Sequence, residues 1–119
     1  MPAAKYQDLA SNLPAESSAQ IKERVNRARV IQRERFKNEG ILCNALMSHK
    51  QVRKFCVLSK EESELLKMAM TELNFSARAY DKILKVSRTI ADLAESEQIR
   101  TEHLSEAIQY RSLDRDFFV

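Results

Sequence analysis

The sequence predicts an all-α chain, a small bundle of about five helices, and three observations lead there. The 119 residues contain one glycine and two prolines, and both prolines, Pro2 and Pro14, lie at the very start. Hairpins and tight β-connections need Gly, Asn-Gly or Pro-rich turns, and those are missing. Apolar side chains recur at spacings of three and four, the period of a helix and not of a strand. Serine or threonine stands ahead of several of these periodic runs, as helix starts require. With 44% apolar and 31% charged residues, the chain has the makings of one globular domain with a modest core.

Residues 1–15, MPAAKYQDLASNLPA, have no sustained apolar period and read as a lead-in or linker ahead of a domain over 16–119. Ser17 and Gln20 then stand in capping-box spacing, in which each side chain satisfies a free backbone N–H near the other. Ile21, Val25, Ala28, Ile31 and Phe36 form a narrow apolar stripe, and Gly40 is the expected C′ residue, since it takes positive φ without steric cost. That predicts a first helix of about six turns, roughly 32 Å, part of which projects beyond the core. The connector ILCNALM leads to a short helix over 48–56. Ser59 and Glu62 are expected to form a second capping box, with Leu65, Leu66, Ala69 and Leu73 facing inward. After a short connector, Ser76 is the expected N-cap of a helix whose inward stripe is Tyr80, Ile83, Leu84, Ser87, Ile90, Ala91 and Ala94. The run ESEQIR breaks it, and Ile99 is expected to return to the core. Thr101 is expected to cap a last helix with Leu104, Ala107 and Ile108 inward. The tail RSLDRDFFV carries no prediction, and its phenylalanines either pack or are exposed.

Several function classes drop out. The chain has no run of about 18 apolar residues that could span a membrane. Its start lacks a charged segment followed by an apolar one, so no secretion signal is expected. Two cysteines do not make a disulfide framework, and a reducing cytoplasm is the natural setting. There is no Gly-rich phosphate loop and no nucleophile elbow. Cys43, His49, Cys56 and His103 match no zinc-ligand spacing, so no metal is expected; buried thiols and surface histidines account for them. Carboxylates interleaved with Lys and Arg read as solvated i,i+4 pairs rather than a catalytic dyad.

Charge is distributed unevenly. Residues 1–40 hold eight Lys or Arg against five Asp or Glu, while residues 41–119 hold twelve of each, for a net +3. Lys22, Arg24, Arg27, Arg29, Arg33, Arg35 and Lys37 either track a phosphate backbone or form a solvated or subunit-contacting face. Arg78 poses a sharper question, because it falls in the first turn of its helix, where the dipole disfavours a cation by a few tenths of a kcal/mol. Either it is a surface arginine that stacks over its own helix or pairs with Asp81 or Glu72, or the free N–H groups, the dipole and the guanidinium fork converge on one anion.

The run FSARAYDKILKVSRTIADLAESEQIRTEHLSEAIQYRSLDR, residues 75–115, resembles the C-terminal domain of the magnesium-chelatase-like AAA+ proteins, the ComM/YifB competence family. ESSAQIKERVNRARVIQRERF is similar to the same family's first helix after its ATPase core. The resemblance covers about residues 15–115, and the run from Ser76 to Leu93 is specific to it; Ser87 stands where that family's run has alanine. It implies a helical AAA+ lid with a long first helix, in which Arg78 is the sensor-2 arginine that contacts the γ-phosphate of ATP, in cis or in trans. It also implies ATP and Mg²⁺ in the parent protein, a homo-oligomeric, hexameric ring formed with its own AAA+ core and neighbouring subunits, and DNA as a partner. The P-loop lysine, Walker B acids, sensor 1 and arginine finger belong to the α/β core of such proteins and are not among these residues. The chain is therefore expected to be an excised domain that starts after the last core strand, inactive alone and without bound cofactor. Tyr80 and Arg88 are the expected supports of the Arg78 helix, with Arg88 pairing with Asp92 at i+4 or crossing to a neighbouring helix or subunit. Arg24 and Arg27 are candidates for contact with DNA or a subunit. The alternatives are the lid of a chelatase-type ATPase that remodels a protein partner for Mg²⁺ insertion, or a freestanding helical domain that binds DNA or protein.

Overall fold

The computed structural model describes residues 17–118, with side chains through Leu113. The lead-in expected over 1–15 lies outside the described residues. Ser17 opens α1 (Ser18–Arg35) with the expected capping box: its Oγ accepts the Gln20 N–H at 3.1 Å, and Gln20 Oε1 accepts the Ser17 N–H at 2.9 Å. A 3₁₀ turn (Asn44–Leu46) follows, then α2 (His49–Phe55), α3 (Lys60–Glu72), α4 (Ala77–Leu93) and α5 (Thr101–Phe118). No strand occurs among the described residues, so the all-α bundle is the observed architecture.

α4 is the centre of the domain. α5 packs along it, α1, the 3₁₀ turn and α2 also rest on it, and α3 is held mainly by α5. The reason is compositional: Ala79, Ile83, Leu84, Ser87, Arg88, Ala91 and Asp92 are all buried, a wide stripe on one helix. Leu104 and Ala107 of α5, Leu66 of α3, Val52 of α2 and Phe36 complete the core, and Ile99 returns to it as expected. Phe36 meets Phe55 edge-to-face at 5.2 Å between centroids. Ser87 is accommodated because its hydroxyl donates to the Ile83 carbonyl at 2.7 Å.

Helix ends explain how a chain with one glycine turns so often. Asn74 and Glu95 adopt positive φ, 54° and 56°, at the C′ positions of α3 and α4. The Phe75 N–H reaches the Met70 carbonyl at 3.1 Å, and the Ser96 N–H reaches that of Ala91 at 2.8 Å. Both are the 6→1 bond of a Schellman motif, made here without glycine.

Several expectations need correction. α1 ends at Arg35, not beside Gly40, because Phe36 leaves the helix to enter the core; Gly40, at φ 77°, closes the turn that follows. Ile21 is 47% exposed, and the buried face of α1 runs through Ala28, Gln32 and Phe36. Ser59 makes no capping bond to backbone; its hydroxyl donates instead to the Glu62 carboxylate. Leu73, Tyr80 and Ala94 are exposed rather than inward. Thr101 is the first residue of α5, not its cap: the Arg100 carbonyl accepts the Leu104 N–H, and His103 Nδ1 lies 3.0 Å from the Arg100 N–H as its acceptor. His103 is accordingly buried, not on the surface. The tail is helical to Phe118, while the packing of the two phenylalanine rings lies outside the described residues.

One polar cluster lies inside this bundle. The Asp92 side chain is fully buried and accepts from three residues. Arg35 Nη1 and Nη2 donate to Oδ2 and Oδ1 at 2.8 and 2.6 Å, and Asn44 Nδ2 donates to Oδ2 at 2.9 Å. Arg88 Nε donates to Oδ1 at 3.2 Å, and its Nη1 and Nη2 also cap the carbonyls of Glu97 and Ser96 at 3.0 and 2.7 Å. Asn44 is itself positioned by Gln32 Oε1, which accepts its N–H at 2.9 Å. The cluster joins α1, the 3₁₀ turn, α4 and the loop before α5.

Three measurements check this packing. Leu104→Ala is expected to lower the urea unfolding free energy by about 2–5 kcal/mol, whereas Ile21→Ala changes it by no more than about 0.5 kcal/mol. Asp92→Ala leaves the buried Arg88 and the part-buried Arg35 without a counter-charge and is expected to cost about 3–5 kcal/mol; Arg27→Ala, at an exposed ion pair, costs less than about 1 kcal/mol. Burial pushes the Cys56 thiol up to about 11, so iodoacetamide at pH 8 is expected to label Cys43 in the folded protein and reach Cys56 only on unfolding.

Candidate functional site

The amino end of α4 is built by Ser76, whose backbone is extended (φ −79°, ψ 168°) and whose Oγ accepts the Ala79 N–H at 3.2 Å. The Tyr80 N–H is satisfied by the Ser76 carbonyl at 3.1 Å. The N–H groups of Ala77 and Arg78 have no acceptor among the described residues, and no acidic side chain lies in the first turn. Arg78 is exposed and has neither ion pair nor hydrogen bond among the described residues. Of the two local partners considered for it, Glu72 makes no such contact, and Asp81 is engaged by His49, whose Nδ1 lies 3.0 Å from both carboxylate oxygens. Two free N–H groups, the positive end of a 17-residue helix and a five-donor guanidinium are therefore open on one surface. This arrangement suits an anion with several oxygens, of which a terminal phosphate is the natural case. Ala77, Arg78 and Tyr80 are all exposed, so the site is one-sided and a second surface is needed to enclose the anion.

Arg88 is placed elsewhere. It lies ten residues along α4, about 15 Å from Arg78 at the helical rise, and its side chain is 5% exposed, salt-bridged to Asp92 at 3.0 Å. Burial lowers its pKa, while the neighbouring Asp92 carboxylate raises it. Its contacts fix the carboxyl end of α4 and the loop after it. Tyr80, 36% exposed, stands beside Arg78 at the surface rather than in the core.

The cations of α1 and of the turn just after it divide into groups that the sequence did not separate. Arg35 turns inward to Asp92. Arg27 pairs with Glu23 at 2.9 Å and Glu95 at 3.4 Å, and Lys37 with Glu34 at 2.7 Å. Arg24 is half-buried and also engaged. Arg29 and Arg33 are exposed without a partner among the described residues. Sequence reasoning missed Gln32, Arg35 and Asn44 as members of the buried cluster. The available signal was Asn44 itself, a lone amide within the apolar connector ILCNALM.

Cys43, His49, Cys56 and His103 do not come together, and among the described residues no three His, Cys, Asp or Glu side chains converge to hold a metal ion. No helix among the described residues is long and apolar enough to cross a membrane.

Known proteins match this chain along most of its length. The family model for the magnesium chelatase, subunit ChlI C-terminal, covers residues 15–111. The uncharacterized protein YifB of Escherichia coli (strain K12) is 43% identical over 103 residues, which is 87% of this chain and 20% of that protein. The competence protein ComM of Haemophilus influenzae is 43% identical over 100 residues, 84% of this chain and 19% of that protein. YifB of Salmonella typhimurium is 40% identical over 100 residues, with the same shares. The chain thus spans about one fifth of the length of these relatives. The match takes in all of α1 to α4 and the start of α5, and the chain belongs to the magnesium chelatase ChlI C-terminal family, as a C-terminal domain of the ComM/YifB type.

Proposed function

We propose that residues 16–119 are the helical lid of a AAA+ ATPase, that 1–15 lead in from its core, and that Arg78 contacts the γ-phosphate of ATP in the assembled protein. The observation that carries this reading is Arg78, in an acid-free first turn beside two N–H groups, all three without a partner among the described residues. A cation there opposes the helix dipole when the site is empty and complements it when a phosphate is present. The donor set fits the phosphate and not Mg²⁺, which takes oxygen ligands; the metal and the remaining phosphate contacts would come from the ATPase core. When bound, ATP supplies the phosphoryl group to be transferred. Arg78 stabilises the charge that builds on the γ-phosphoryl oxygens, and α4, anchored through Arg88 and Asp92, carries the loss of that contact into the rest of the lid.

The site is one-sided, so its complement is an ATPase core, the lid's own or a neighbour's in a homo-oligomeric ring. Similarity to a competence protein favours a parent that works on DNA, with Arg24 and Arg27 on the lid side of a DNA or subunit contact. The chelatase description of the family favours a second reading, in which the same lid serves a motor that remodels a protein partner for Mg²⁺ insertion.

In the full-length protein that carries this domain, Arg78→Ala is expected to retain nucleotide binding while ATP turnover falls about 10²–10³-fold, the scale of removing one donor to a transition-state oxyanion. Unchanged turnover would sink the phosphate role. Stimulation of the wild-type protein by single-stranded DNA supports the first reading, and stimulation only by a protein partner supports the second.

A further inference from the structure

Two surfaces of the domain carry opposite chemistry and do not meet within one molecule. Arg29, Gln32, Arg33, Leu42 and Cys43 line a cleft of about 230 Å³ between α1 and the connector that follows it. Arg29 and Arg33 lie one helical turn apart, both exposed and both without a partner among the described residues. Leu42 beside them is 72% exposed, and no carboxylate lines the cleft. The outer face of α3 is the counterpart. Glu64, Lys67, Met68, Thr71 and Glu72 border one open hollow, with Met68 58% exposed. Glu64 and Glu72 stand one turn before and one turn after Met68, and Glu61 extends the same stripe. None of the three glutamates has a partner among the described residues, and Lys67 is the one cation in the hollow. α1 packs on α4 whereas α3 packs on α5, and no residue borders both surfaces.

We propose that the α3 face of one copy docks into the α1 cleft of the next, with Met68 entering beside Leu42 and Cys43 and the flanking glutamates pairing with Arg29 and Arg33. Charge complementarity supports this occupant: a helix face bearing an apolar knob between two acids meets an apolar cleft bordered on one side by two bases. The charges left unpaired at the two surfaces are opposite in sign, so the contact removes both imbalances at once. Because unlike surfaces pair, the contact is heterologous and propagates from copy to copy, giving rings or open chains rather than closed dimers. Arg78 borders neither surface, so this contact stands or falls separately from the phosphate reading.

Disulfide trapping tests it. Cys43 already lines the cleft and Cys56 is buried, so Met68→Cys places one new accessible thiol on the opposite surface. Oxidation of this variant with diamide is expected to give dimers, trimers and higher species on a non-reducing gel. Cys43→Ser, Arg29→Glu/Arg33→Glu or Glu64→Arg/Glu72→Arg, each added to the Met68→Cys background, is expected to abolish the higher species. An equimolar mixture of the two charge-reversed proteins restores them, because each acidic surface again meets a basic one; that recovery also shows that both variants are folded. Products no larger than dimers, a ladder indifferent to charge reversal, or no recovery in the mixture would overturn the proposal.

Discussion

A single buried carboxylate holds the described architecture in register. Asp92 sits where α1, the 3₁₀ turn and α4 converge, and each supplies it with a donor: Arg35, Asn44 and Arg88. Taking such charges out of water costs several kcal/mol per ion, and their mutual attraction roughly offsets that cost. The cluster therefore adds little net stability over a well-packed apolar replacement. Its contribution is geometric. A guanidinium fork bound bidentately to one carboxylate permits one axial position of α1 on α4, where Leu and Ile contacts alone would tolerate sliding by a turn. Arg88 extends the same constraint to the backbone, because its remaining donors hold the carbonyls of Ser96 and Glu97 and so set the path from α4 into α5.

This anchor lies at the carboxyl end of α4, and the opposite end is left open. The amino terminus of the helix carries Arg78 with no partner among the described residues, while Asp81, three residues on, is engaged by His49 from α2. A helix anchored at one end and presenting an exposed cation at the other fits the role in phosphate contact proposed for Arg78. The same division recurs on α1. Arg35 is internal, Arg27 and Lys37 are neutralised nearby, and Arg29 and Arg33 remain available. Cations that look alike in the sequence thus have different surroundings once α1 lies on α4.

Much of the fold was legible. The stripe on α4 needed no context, since Ile83, Leu84, Ser87 and Ala91 recur at a helix period and are all buried. Ser17 with Gln20 and Ser76 alone worked as caps because capping is local, requiring only the few residues that form it. Ser59 departed from the expectation locally too: its hydroxyl donates to the Glu62 carboxylate and its Oγ accepts no backbone N–H. Ile21, Leu73 and Tyr80 were misplaced because periodicity names a face but not how far the neighbouring helix extends to cover it. For the candidate site, the position of Arg78 on α4 was legible, and the absence of a partner was not.

By itself the sequence determined the helical class, the caps at Ser17 and Ser76, the core of α4 and the family resemblance, because each depends on residues close together in the chain or on one uninterrupted pattern. Tertiary structure decided the rest. Arg35 and Asp92 are 57 positions apart, and nothing local distinguishes Arg35 from Arg33 until α1 lies on α4. Gln32 and Asn44, both polar, are interior because Gln32 Oε1 accepts the Asn44 N–H and Asn44 Nδ2 donates to Asp92. The pairing of His49 with Asp81, which leaves Arg78 free, joins two helices 32 residues apart. Long-range polar contacts of this kind carry no periodic signal, since they depend on one side chain of a particular shape meeting another after the backbone has already been placed.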